Sequence, residues 1–298
     1  MTVRPIAALT VVGVVLILHA AVRATADVSP QAASPVPGFS IVAAPAGGGS
    51  LLGGVFPSAS APQPLRSGLL YLPPHFDRSV RYPVVYLLHG MPGAPGEYAS
   101  GLDVRGVADR LISTGRVRPF IAVMPAAGPT VHYDGEWTGP WERYLVSDVV
   151  PWVDRNLPTL ATPAGRTIAG LSAGGYGAAD IGLRSPQLFG RIASWSGYFH
   201  PLHDGSLAHA SRRTLLANDA FRLAALHAGL LRARGLRFFV STGPSHSHWF
   251  SARQTVDFVA ELRRLRLPVA SVFLRSQKGA YETQLIAGLR WALARRPA

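Results

Sequence analysis

Among its 298 residues the chain has no cysteine, which excludes disulfides and thiolate chemistry. Lysine is almost missing too: Lys278 stands alone, so arginine carries the formal net charge of +13. Carboxylates are scarce where the charge is greatest. From Ser206 to the end, fourteen arginines and Lys278 face Asp219, Asp257, Glu261 and Glu282. Such a surface favours anionic lipid, cell-envelope polymer or nucleic acid. No helix-turn-helix, zinc-finger or RNA-binding signature accompanies it, so no nucleic-acid partner is expected. A coding bias toward Arg, Ala, Gly and Pro accounts for the charge better than a nucleic-acid footprint does. Metal motifs of the H-E-x-x-H or paired-cysteine kind are also absent. "HSH" (246–248) and "HPLH" (200–203), followed by Asp204, bring imidazoles close in sequence, but no metal or cofactor is implied.

What is present begins with a targeting segment. Arg4 precedes the apolar run 5–22, and "ATA" at 24–26 offers a small-residue cleavage site. Residues 1–26 thus read as a signal peptide or, since about 18 apolar residues can just span a bilayer, a membrane anchor. The rest of the chain is expected to be secreted or membrane-anchored, outside the cytoplasm. Residues 27–38, rich in Pro, Ala and Ser, read as a flexible linker. Residues 39–298 form the expected domain, of a length and 48% hydrophobic content that suit one sizeable α/β body.

Within that domain, apolar runs alternate with helical patterns. "FSIVAA", "SLLGGVF" and "LRSGLLYL" suggest an antiparallel opening. "YPVVYLLH" (82–89) is continuously apolar, as a strand buried on both faces would be. "PFIAVMP", "RTIAGL", "RIASWSG", "LRFFVSTG" and "PVASVFLR" supply further strands. Helical spacing predicts helices over 107–115, 141–157, 172–185, 251–266 and 282–296, with Pro151 bending or restarting the second. This alternation implies a mostly parallel central sheet with helices on both faces.

One motif carries chemistry. "AGLSAGGYG" (169–177) contains G-x-S-x-G, with Ser172 between a predicted strand and a predicted helix. In that context a serine on a strained turn is a nucleophile, and the amide after it faces the substrate. The alternative is a glycine-rich turn whose serine caps the helix. A tetrahedral intermediate needs two N–H donors for its oxyanion. Ala173 would give one, and the loop after "YLLHG" the other.

"YLLHGMPG", "PWERYLVSDVVPWVDRNL", "TIAGLSAGGYGA" and "ASWSGYF", in this order, resemble the putative esterase family. That family includes esterase D, feruloyl esterases and antigen 85 mycolyltransferases. The likeness is clear over about 65–200 and weaker beyond. It implies an α/β-hydrolase fold and acyl transfer on carboxylic esters, with Ser172 as nucleophile. The backbone N–H groups of Met91 and Ala173 would form the oxyanion hole, and Glu142 would give structural support. An ester, lipid or glycolipid substrate is expected, with an anionic envelope surface as a second partner.

The family's remaining catalytic partners are missing from their places. "PSHSHWFSARQ" (244–254) has no carboxylate where the acid belongs, and Asp257 and Glu261 fall inside a predicted helix as a solvated face. Tyr281 stands where the histidine belongs, and no histidine follows His248. With a reference pKa near 10, tyrosine is a poor base at neutral pH. His246 and His248 are the candidate bases, ahead of His200 and His203; His132 follows another strand. Two readings follow: a serine esterase or acyltransferase with a substitute base, or an inactive α/β-hydrolase fold that binds or builds the envelope.

Overall fold

A computed structural model describes residues 34–128, 135–203, 207–244, 252–276 and 278–294. The leader 1–26, His132, His246 and His248 lie outside the described residues.

The apolar runs become nine strands of one sheet in the order β1-β2-β3-β5-β4-β6-β7-β8-β9. The first three, β1 (Phe39–Ala43), β2 (Ser50–Gly54) and β3 (Gly68–Leu72), pair antiparallel, as the turn-rich opening suggests. β3 then pairs antiparallel with β5 (Ile121–Met124). From β5 onward, β4 (Val84–Leu88), β6 (Arg166–Leu171), β7 (Arg191–Trp195), β8 (Arg237–Thr242) and β9 (Val269–Phe273) run parallel. This is the mostly parallel α/β-hydrolase sheet expected.

The pleat divides the core into two layers. Val84, Tyr86 and Leu88 of β4 join one apolar cluster with Ile168 and Val240, while Val85 and Leu87 join a second with Ala169 and Phe239. α1 (Val104–Ser113) and α8 (Ala280–Leu293) cover the second layer through Val107, Leu111, Leu285 and Leu289. α4 (Ala173–Arg184) and α7 (Ala252–Arg264) cover the first through Ala178, Ile181, Phe258 and Leu262. Helices thus lie on both faces.

α2 (Pro140–Arg143) runs through a widened turn at 144–149 into α3 (Val150–Asn156). The widening answers the Pro151 expectation: proline has no N–H to offer the preceding turn, so the ladder loosens there without breaking. Two further helices, α5 (Arg212–Ala217) and α6 (Ala220–Ala233), fill a stretch to which the sequence reading assigned nothing. Their signals were the caps: Ser211 accepts from the Thr214 amide and Asp219 from the Arg222 amide. The stretch read as a linker also needs correcting at its end. Val36 is buried in the same apolar cluster as Phe39 and Phe56, so the packed body takes in residues before Gly38.

Candidate active site

Ser172 sits between β6 and α4 with φ 56° and ψ −119°, a region costly for any residue with a Cβ. The flanking glycines make the bend feasible. A Cβ on Gly170 would lie 2.2 Å from the Gly174 carbonyl oxygen, and one on Gly174 would lie 1.8 Å from that of Leu88. The Ser172 N–H donates to the Trp195 carbonyl at 3.0 Å, which fixes the bend to the end of β7. Its hydroxyl does not cap α4. Among the described residues the hydroxyl has no hydrogen-bond partner, and the residue is half-buried. Ala173 opens the helix, so its amide has no carbonyl to pair with inside α4.

The second expected donor lies on a loop held against the serine. A Cβ on Gly90 would be 3.4 Å from the Ser172 Cβ, so this loop passes directly over the bend. His89 is buried and fixes the loop from below. Its Nε2 accepts the Ala127 N–H at 3.1 Å, which makes Nδ1 the protonated nitrogen, donating to the Gly90 carbonyl at 2.9 Å. The Trp137 indole donates to the His89 carbonyl at 3.0 Å, and the Gly90 N–H reaches the Glu97 carboxylate at 3.3 Å. Met91 is partly buried and packs on the cluster of Ala173, Tyr176, Tyr198 and Leu207.

Several neighbouring groups went unnoticed in the sequence. Tyr176, one turn into α4, stacks on Tyr198 with ring centroids 4.9 Å apart. The Tyr198 hydroxyl donates to the buried carboxylate of Glu136, and the Tyr176 hydroxyl to the Asn218 carbonyl at 2.8 Å. Glu136 and Trp137 both have positive φ, 55° and 58°. This second strained turn lies under α4, where the Trp137 Cβ leaves no room for a side chain at Gly177. "GEW" carries no signal of this kind, because left-handed φ is unusual at Glu and Trp. At the ends of β7 and β8, fully buried Gln284 joins Ser196 and Ser241: its Oε1 accepts from both hydroxyls, at 3.2 and 3.0 Å. The first turns of α8 are thereby tied to the edge that carries Ser172.

The other expected residues are dispersed. Glu142 forms a two-pronged pair with Arg184, at 3.0 and 2.8 Å, locking α2 to the end of α4. Asp257 pairs with Arg253 and Glu261 with Arg264 on the solvated side of α7. Tyr281 lies in the first turn of α8 and is 47% exposed. His203 is exposed. His200 bonds Asp219 at 2.6 Å and stacks on Phe221. That hydrogen bond raises the imidazole above its ordinary pKa. Burial works against the Asp219 carboxylate, but the bond from His200 and the amides of α6 hold its pKa below the usual value.

The model of a family described as "Putative esterase" matches residues 60–291. An endo-1,4-beta-xylanase/feruloyl esterase of Xylanibacter ruminicola is 36% identical over 147 residues, 45% of this chain and 20% of that protein. Esterase Rv1288 of Mycobacterium tuberculosis is 34% identical over 136 residues, 44% of this chain and 28% of its own. The chain therefore spans less than a third of either relative. A solved ferulic acid esterase superposes with a TM-score of 0.73 at 22% identity, covering 83% of this chain and 98% of that one. An S-formylglutathione hydrolase from Agrobacterium tumefaciens gives a TM-score of 0.66 at 18% identity, covering 85% and 98%.

Proposed function

Because the chain belongs to the Putative esterase family, we propose that it is an exported serine hydrolase or acyltransferase acting on carboxylic esters. Ser172 gives its hydroxyl proton to the base and attacks the ester carbonyl; the ester C–O bond breaks, the alcohol leaves with that proton, and the acyl group stays on the serine oxygen as an acyl-enzyme. The amides of Met91 and Ala173 receive the charge of the tetrahedral oxygen. Water, or the hydroxyl of a sugar or lipid, then takes the acyl group. The observation that carries this reading is the strained Ser172 bend with its uncapped hydroxyl, against which the His89-Gly90 loop is packed. A strained outlier of that kind points to function.

Base duty falls to His246 or His248 in this proposal. They follow β8 in the sequence, and β8 lies two strands from β6, so its carboxyl end stands about 10 Å from that of β6 on the same edge of the sheet. Residues 1–26, read as a signal peptide or membrane anchor, support a place outside the cytoplasm, with an anionic envelope surface as second partner in this proposal. Exposed Leu216, Leu226 and Leu230 beside Arg212, Arg213 and Arg222 support that partner.

The second reading, an inactive descendant that binds envelope material, draws on the solvent-exposed ring of Tyr281 and on Asp257 and Glu261 being spent on arginines. A fluorophosphonate probe separates the two. The enzyme reading expects one covalent adduct per chain by intact mass, lost in Ser172→Ala. Well-folded protein that takes up no adduct would establish the inactive reading instead. In the double variant His246→Ala/His248→Ala, labelling is expected to slow by about a hundredfold or more, the usual contribution of a general base.

A further inference from the structure

A cleft of about 750 Å³ opens at the amino ends of β4 and β5, where Pro83 and Pro119 lead into the strands. Ser172 and the Gly90 loop lie at the carboxyl ends. Since β4 spans five residues, about 17 Å of sheet separates the two edges. The cleft is thus distinct from the ester site, and its volume is that of a small-molecule pocket.

Its lining has two chemistries. Pro74, Val80, Pro83, Ile112, Pro119 and Leu160 make most of it apolar, and Val80 is left 46% exposed there. His75, Arg81, Arg110 and Arg118 supply positive or polar groups. Among the described residues the one carboxylate in the lining is already committed. Asp109 accepts the Gly49 amide at 3.0 Å and the Tyr71 hydroxyl at 2.7 Å, and Arg105 approaches it at 3.6 Å. Arg110 reaches Glu282 only at 3.6 Å with both side chains largely exposed, a pair that water screens heavily. The balance in the cleft is therefore cationic. His75 on the β3–β4 loop also has φ 53°, a strained conformation beside the opening.

We propose that this cleft binds a small amphipathic carboxylate. Its apolar chain or ring lies against the prolines, Ile112 and Leu160, and its head group is forked by the guanidinium groups of Arg81 and Arg110. A monoanion fits better than a phosphate dianion, because the Asp109 charge remains within the same lining.

Decanoate titrated calorimetrically into the full-length Ser172→Ala protein tests this with the ester site disarmed. One site per chain is expected. Arg81→Gln/Arg110→Gln should weaken binding about tenfold, the loss of a charge-assisted hydrogen bond. Arg263→Gln/Arg266→Gln, which removes equal charge at the exposed end of α7 and just beyond it, away from the cleft, should leave it unchanged. All four positions are exposed, so the variants are expected to fold. Neutral decanol should not displace decanoate. The proposal is overturned by no binding, by equal weakening in both double variants, by displacement with decanol, or by tighter binding of decyl phosphate. Each of those outcomes leaves the fluorophosphonate result at Ser172 untouched.

Discussion

Asp180 shows what a single residue can cost within α4. It is fully buried, and among the described residues neither carboxylate oxygen has a hydrogen-bond partner. Burial pushes its pKa up to about 8; Arg184 opposes the shift, while Glu142 and Asp219 add to it. The folded chain therefore keeps a proton that the unfolded chain releases near pH 4. Between those values the native state binds more protons than the unfolded state, so stability falls as pH rises and levels off above the folded pKa. This one group can contribute a slope of up to ~1.4 kcal/mol per pH unit. Urea unfolding of Asp180→Asn should match the parent near pH 4 and exceed it in stability at pH 8. Parallel curves for the two proteins would show that Asp180 is already ionised in the fold. Nothing in "GAADIGL" marks this residue in advance, since a helical Asp is ordinarily solvated.

At the scale of elements, glycine content separates what a helix needs from what it tolerates. α4 contains Gly174, Gly175, Gly177 and Gly182, a poor composition for an isolated helix, yet Ala173 through Leu183 are all buried. Tertiary packing thus holds α4, and its glycines are there for closeness. Gly174→Ala would drive a Cβ into the Leu88 backbone, so a loss of about 3 kcal/mol or more is expected. Gly229 in α6 has nothing within 4 Å of its Cβ position, and Gly229→Ala should raise stability by about 0.5–1 kcal/mol. Chemical denaturation of both variants checks the pair, and a similar sign for the two would refute the packing argument. The strand β6, the bend at Ser172 and the helix α4 were readable because period and glycine spacing are local signals. The sheet order was not, because nothing in "PFIAVMP" says that it pairs with β3 on one side and β4 on the other. The Glu136–Tyr198–Tyr176 group was equally hidden, since it joins three separated segments through one strained turn.

For the molecule as a whole, the arginine excess acquires meaning from where apolar side chains reach solvent. Leu226 and Leu230 lie one turn apart on α6, 62% and 48% exposed, and Leu216 on α5 is 40% exposed. With Arg212, Arg213 and Arg222 beside them, they make a face that is apolar and cationic together, the composition of a surface that meets anionic lipid. Inward, the same corner touches α4: Arg184 donates to the Ala217 carbonyl at 3.1 Å, and Leu215 packs on the cluster that holds Ala173. On the function proposed above, an envelope-bound ester would approach beside the bend at Ser172. The absence of cysteine makes the test clean, because a thiol placed at one position labels that position alone. Full-length protein with Leu226→Cys and an environment-sensitive fluorophore should show a blue-shifted emission on phosphatidylglycerol vesicles and no shift on phosphatidylcholine vesicles. The same label at Val42→Cys, on the edge strand β1 where Val42 is 60% exposed, should stay unchanged on both. About 0.5 M salt should reverse most of the shift, since screening shortens the reach of the arginines to a few ångströms. Equal shifts at the two positions, or none at Leu226, would mean that the α5–α6 face does not meet the membrane and that its arginines are simply solvated.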